Sequence, residues 1–228
     1  MSSLPPVIVI SLPGSSRRAR IQATFDEIGL PFEFHDAVNG AELNDETLAS
    51  VDQNYAEKEW GHGLNKGEIG CAISHIQLYE RMVEQGLEEV IILEDDAQPS
   101  EGFMQTLREM LSALPKRAEI AFLHHGKAKS WPIKRSLPNG HKLVRYRYPS
   151  AKSRRCIISG RGYWLSQAGT QKLLELAYPI RMPADYLTGY IQRSHIHAYG
   201  VEPNLLLETD TPSEIDAVEK RQYGGHVG

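Results

Sequence analysis

Cysteine is scarce in this chain. There are two in 228 residues, Cys71 and Cys156, far apart and in no metal-ligand spacing. That excludes a disulfide scaffold and a cysteine-rich zinc module. It is the usage of buried thiols in a reducing, cytoplasmic compartment. Long apolar runs are missing too. The first, "VIVISL", is too short for a signal peptide and lacks a basic leader. Nothing approaches the roughly 20 apolar residues of a membrane span. There is no internal repeat, no low-complexity tract and no clear linker. Acids are almost absent from one long stretch: residues 116–161 hold 13 Lys and Arg and a single acid, Glu119.

What is present suits one soluble domain. Hydrophobic residues make up 41% of the chain, enough for one sizeable core. The net charge of −4 hides an asymmetry. Residues 1–115 carry 7 basic and 20 acidic groups, whereas residues 116–228 carry 18 and 9, so the halves present different fields. "VIVISL" reads as a buried strand bounded by Pro-Pro and Pro-Gly. "SSRRARIQATFDEIG" reads as a helix with Ser15 or Ser16 as N-cap and Gly29 closing it. "FEFHD" alternates as a strand before a "DAVNG" turn. Residues 65–86 form an amphipathic helix, with Asn65 and Glu68 at capping-box spacing and Ile69, Ala72, Ile73, Ile76, Tyr79 and Val83 on one stripe. Residues 89–94 and 119–123 are strands, 101–113 a helix, and 126–155 an irregular basic stretch. "CIISGRGYWLS" is strand-like, "SQAGTQKLLELA" a helix capped by Ser166, "PADYLTGYIQR" helical, and "HIHAYGV" a closing strand. Alternating strands and helices predict an α/β fold with a mostly parallel sheet, whose ligands bind beyond the carboxyl ends of the strands.

At one such end stand three consecutive acids, Glu94, Asp95 and Asp96, in "VIILEDDA". Carboxylates side by side repel. Hard cations, Mn2+ or Mg2+, are held by one or two such groups together with phosphates and water. A cluster capping the next turn remains the plainer alternative. Phosphoryl transfer to an aspartate is disfavoured, because "EDDAQPS" lacks the threonine that chemistry uses. The preceding helix, "LNKGEIGCAISH", carries Asn65, Lys66, Glu68, Ser74 and His75. Adjacent Ser74 and His75 do not share one face, so a Ser–His–Asp nucleophile is not supported.

"LNKGEIGCAISH" followed by "VIILEDDA", with "FEFHDAVNG" before and "GRGYWLSQAGTQKLLELAYPIRMPAD" after, resembles glycosyltransferase family 25. The resemblance runs from the first strand to about residue 190. It implies a GT-A-like fold, a UDP-galactose or similar donor, divalent-metal dependence and inversion at the anomeric carbon. One domain, 1–228, would then comprise a nucleotide-sugar and metal half (1–125) and an acceptor half (126–228). One departure is Ser11, in "ISLPGSSRRAR", where the family has Asn. The resemblance implies Asp96 as first metal ligand, with Asp95 and Glu94 beside it, and Asp185 as the general base. Asn65, Lys66, Glu68, Ser74 and His75 are donor-side candidates. So are Gly160 and Tyr163 in "SGRGYW", the glycine for close backbone approach to the sugar, while Trp164 suits the core. Arg17 and Arg18 open a helix where the macrodipole disfavours cations, which suggests a bound diphosphate, or else a solvated basic face. His195 and His197 are weaker metal candidates. The basic stretch suits an anionic carbohydrate or lipid-linked glycan acceptor, with peripheral contact at the inner leaflet; a metal-carboxylate donor site argues against nucleic acid. Two further readings stay open: a metal-dependent nucleotidyltransferase or phosphohydrolase, and a non-catalytic sugar-nucleotide-binding protein.

Overall fold

The structure, a computed structural model, describes residues 4–126, 128–158 and 161–207. Its frame is an eight-stranded mixed sheet. β1 (Val7–Ser11) lies between β2 (Glu33–Asp36) and β3 (Glu89–Glu94), all parallel. β8 (Gly162–Ser166) runs antiparallel between β3 and β5 (Ile120–Phe122). β9 (Ala198–Glu202) follows β5 in parallel, and the edge is a hairpin of β7 (Lys142–Arg145) and β6 (Arg135–Ser136). The order is β2-β1-β3-β8-β5-β9-β7-β6. Only β8 and β7 run against the rest, so the sheet is mostly parallel, as the alternating pattern predicts. β4 (Gln98–Pro99) and β10 (Leu206–Leu207) form a separate two-stranded pair.

Helices cover both faces. The strand pleat sends alternate residues to opposite sides. Ile8, Ile10, Val90, Ile92, Tyr163 and Leu165 pack under α4 (Lys66–Glu84), α6 (Gln167–Ala177), α7 (Ala184–Gly189) and α8 (Ile191–Ser194). Val7, Val9, Ile91, Leu93 and Trp164 pack under α1 (Arg17–Ile28) and α5 (Phe103–Ala113). Each buried Val, Leu or Ile contributes roughly 1.5–3 kcal/mol. Two short helices, α2 (Asp45–Ala49) and α3 (Gln53–Trp60), lie between β2 and α4.

Local chemistry explains most boundaries. The Asn65–Glu68 capping box forms, each side chain accepting from the other's backbone N–H. Ser166 caps α6 through Gly169 N–H. Gly29 ends α1 at φ 65, which only glycine adopts without strain. At the start of α1, Ser16 makes no side-chain cap and Ser15 Oγ instead accepts from Arg17 N–H at 3.2 Å. Four outcomes depart from the sequence reading. Val83 is 41% exposed, because Met82, about 100° around the helix, takes the core position at that turn. The basic stretch is irregular except at β6 and β7, where Leu143 and Val144 are buried behind exposed lysines and arginines. The last long strand begins at Ala198, so His195, at φ 53, and His197 lie before it and do not alternate on it. Cys71 is half-buried, unlike Cys156.

Candidate functional site

β1, β2, β3 and β5 all end at one edge, and antiparallel β8 begins there. Gly162 opposes Leu93 in the ladder. A Cβ at Gly162 would stand 2.7 Å from a Leu93 methyl and 2.4 Å from a Leu206 methyl, so glycine lets β8 sit here without moving either side chain. The three acids leave β3 at this edge and diverge. Glu94 continues the pleat of Ile92 toward α4. Asp95 turns toward α1: its carboxylate accepts from Ser11 Oγ at 2.7 Å and from Arg17 Nη1 at 3.1 Å. Arg20 donates to the Asp95 carbonyl at 3.4 Å. Asp96 has Arg161 Nε 3.4 Å from Oδ2, while its Oδ1 is buried with no hydrogen-bond partner among the described residues. Burial, and then the neighbouring Glu94 charge, raise the Asp96 pKa from 3.8 to about 6.

The α4 side supplies a relay. His75 is fully buried. Its Nδ1 meets the Tyr163 hydroxyl at 2.8 Å, and its Nε2 lies 3.6 Å from Glu94 Oε1. The Tyr163 hydroxyl meets that of Tyr79 at 2.6 Å. Burial drives both tyrosine pKa values upward, so the hydroxyls stay neutral. After burial, the charges of Asp185 and Glu94 add smaller contributions to the rise at Tyr79. Asp185 stands half-buried in the first turn of α7, behind Pro183.

The remaining sequence candidates divide clearly. Asn65 and Glu68 are committed to the cap. Ser74 accepts from Val38 N–H at 2.8 Å and donates to the Gly70 carbonyl at 2.7 Å, clamping the "DAVNG" turn to α4. Gly40 completes that clamp, since a Cβ there would stand 2.1 Å from the Lys66 carbonyl oxygen. Lys66 is exposed, nine residues and so about 14 Å of helix axis from His75. Arg17 pairs with Asp95, and Arg18 with Asp36, the Ser11 carbonyl and the Phe34 ring. The arginines at this helix start therefore answer acids and carbonyls of the chain itself. Trp164 is core, its Nε1–H donating to Glu89 at 2.8 Å. Gly160 lies outside the described residues.

Three features escaped the sequence reading. Arg161, which lies within "SGRGYW" between the two glycines, is the cation beside Asp96. Cys71 and His75 face Glu94 together, a grouping their i, i+4 spacing on one helix announces. Third, a cavity of about 540 Å3 opens in the basic half, lined by Lys129, Tyr146, Arg147, Tyr148, Lys152 and Arg155 among others. Among the described residues none of its lining is acidic, and none belongs to the acid triplet. It adjoins α7 through Gly189, whose Cα packs against the Ile157 carbonyl.

Comparison with known proteins identifies the pattern. Residues 4–188 match the model of the family described as glycosyltransferase family 25 (LPS biosynthesis protein). A glycosyltransferase 25 family member from Aedes aegypti is 30% identical over 168 residues, 70% of this chain and 26% of that protein. The inactive glycosyltransferase 25 family member 3 of Mus musculus is 30% identical over 179 residues, 74% of this chain and 28% of its own. Procollagen galactosyltransferase 1 of Danio rerio is 25% identical over 218 residues, 86% and 34%. The matched part is thus about a quarter to a third of each relative's length. Among solved structures, a glycosyltransferase involved in glycosylation of the major capsid of PBCV-1 aligns over 75% of this chain and 66% of its own, with TM-score 0.32 and 9% identity.

Proposed function

The chain belongs to glycosyltransferase family 25, and from that premise we propose that it transfers a hexose, galactose from UDP-galactose, to a lipooligosaccharide or other glycan acceptor, with inversion. The observation that carries the reading is Asp96: a carboxylate oxygen buried without a partner among the described residues, its pKa held high by burial and then by the neighbouring Glu94. Such a corner is unfavourable for the chain alone and favourable for a hard divalent cation. Asp96 and Glu94 are the residues that would hold Mn2+ or Mg2+. Asp95, with both oxygens engaged by Ser11 and Arg17, fixes the turn that aims them. Such an ion supplies charge neutralisation for a departing diphosphate.

The chain's own groups account for the rest. Arg161 and Arg17 limit the repulsion within the acid cluster. The hydrogen bonds joining His75, Tyr163 and Tyr79 tie α4 to β8 beneath the site. Asp185 takes the proton of the attacking acceptor hydroxyl. The acceptor is an anionic carbohydrate or lipid-linked glycan whose charged group enters the cavity of Lys129, Arg147, Lys152 and Arg155, and the same cations favour contact with an anionic inner leaflet. Among the described residues no helix is long and apolar enough to cross a membrane.

The test is a thermal-shift screen of nucleotide sugars with and without Mn2+, in which ligand that binds only the folded state stabilises it, followed by product analysis with the best donor. Free UDP and a glycosylated acceptor are expected. Pyrophosphate or free phosphate as product would turn the reading to nucleotidyl transfer or phosphohydrolysis. The name of the mouse relative favours one further alternative, binding without transfer. Tight UDP-sugar binding with no product across a glycan panel would establish that instead.

A further inference from the structure

We propose that Cys71, His75 and Glu94 form a second cation site, for a borderline-soft divalent ion of the Zn2+ class, adjoining the oxygen site at Asp96. The sulfur of Cys71, a ring nitrogen of His75 and a carboxylate oxygen of Glu94 all lie within 4.8 Å of one another. Tetrahedral Zn2+ with bonds of about 2.0–2.3 Å sets its donor atoms roughly 3.3–3.7 Å apart. The His75 Nε2 to Glu94 Oε1 distance, 3.6 Å, is already such an edge. The thiol closes the third corner by a small side-chain movement.

A second observation points to a ligand independently of the clustering. His75 is fully buried, yet among the described residues its Nε2 has no hydrogen-bond partner, an orientation that leaves a strong donor or acceptor unused in the interior. Its other nitrogen is fixed by Tyr163, and Tyr163 in turn by Tyr79. Metal-binding histidines are typically oriented in this way, by a hydrogen bond from the ring nitrogen remote from the ion. A helix face supplies sulfur and nitrogen, and a strand end supplies oxygen, so two rigid elements set the geometry. Thiolate and imidazole select Zn2+ over Mg2+ and Mn2+, whose preference is for oxygen. Three protein ligands leave the fourth position open to water. Binding releases the Cys71 thiol proton to solvent. Because Glu94 serves both sites, an ion here withdraws a carboxylate from Asp96, and Zn2+ and Mn2+ compete.

The experiment titrates metal-free full chain with Co2+, which reports a thiolate ligand by a charge-transfer band in the near ultraviolet. One equivalent is expected to raise the band and Zn2+ to abolish it. In Cys71→Ser and Cys71→Ala the band is lost and Zn2+ affinity falls by at least about 100-fold, the upper end of what loss of even an outer-shell partner costs. Excess Mn2+ weakens the apparent Zn2+ affinity of the unaltered chain. Asp96→Asn keeps the band, which separates this site from the donor site: loss of Mn2+-dependent UDP binding in that variant, or failure of sugar transfer altogether, leaves the result standing. No band in the unaltered chain, a band that survives both Cys71 variants, indifference to Mn2+, or disappearance of the band in Asp96→Asn would each overturn the proposal.

Discussion

Replacing Asp96 with asparagine should make the metal-free protein more stable at neutral pH while ending its use of metal. The raised pKa gives the sign. A carboxyl whose folded-state pKa lies above its unfolded value is stabilising while protonated, and that contribution is lost as pH rises through the folded pKa. For Asp96 the window runs from 3.8 to about 6. At 1.36 kcal/mol for each tenfold, the ionised side chain costs the folded state about 3 kcal/mol above pH 6. Asparagine keeps the shape and removes the charge, so this is the ceiling of the gain, reduced by the lost attraction to Arg161. For a chain of this size the ceiling corresponds to about 6–12 °C in Tm. The assay is thermal unfolding in chelator from pH 4 to 8. The variant should gain on the unaltered protein as pH rises, the two curves converging near pH 4. Adding Mn2+ with UDP should reverse the order, because only the unaltered protein gains from the ligand. A variant that is less stable than its parent at pH 7.5 in chelator, with a difference independent of pH, would refute the electrostatic account of this corner.

Asp185→Asn should lower the rate of transfer by about 100- to 10,000-fold, the usual worth of a general base, and leave the donor-induced thermal shift intact; a variant defective in both would place Asp185 at the donor. Tyr163→Phe strips the shared partner from His75 and Tyr79, and chemical denaturation should read a loss of about 1–3 kcal/mol for the buried groups left unsatisfied. Arg147→Glu combined with Arg155→Glu reverses charge in the 540 Å3 cavity. It should raise KM for an anionic acceptor and flatten its salt dependence, with KM for the donor unchanged.

The strand-and-helix frame was legible because burial imposes period. "VIVIS" is buried at all five positions, and a continuous β-branched run has no other favourable place to go. The capping box and Gly29 were legible because their chemistry is local. The edge hairpin was not. Lys142 and Arg145 flank the buried pair Leu143 and Val144, and a two-residue apolar signal among cations says little until β9 lies beside it. The acid triplet was visible as a charge anomaly, but its division of labour was not. Which carboxylate meets Ser11 and Arg17 depends on contacts across 84 and 78 residues. Ser74 shows the converse: its neighbour His75 faces the site, while its own hydroxyl holds the turn, a difference of about 100° around the helix that adjacency in sequence conceals.

The place of β8 has a consequence for synthesis. β3 and β5 are complete once residue 122 has left the ribosome, yet they never touch each other: the strand that joins them is encoded some 40 residues later. Until it arrives, both strands display open edges, the kind that invite pairing between nascent chains. The basic stretch is translated during that interval. Its cations are opposite in sign to the excess of acids in the first 115 residues, so the segment that delays closure is also drawn toward the half it will complete.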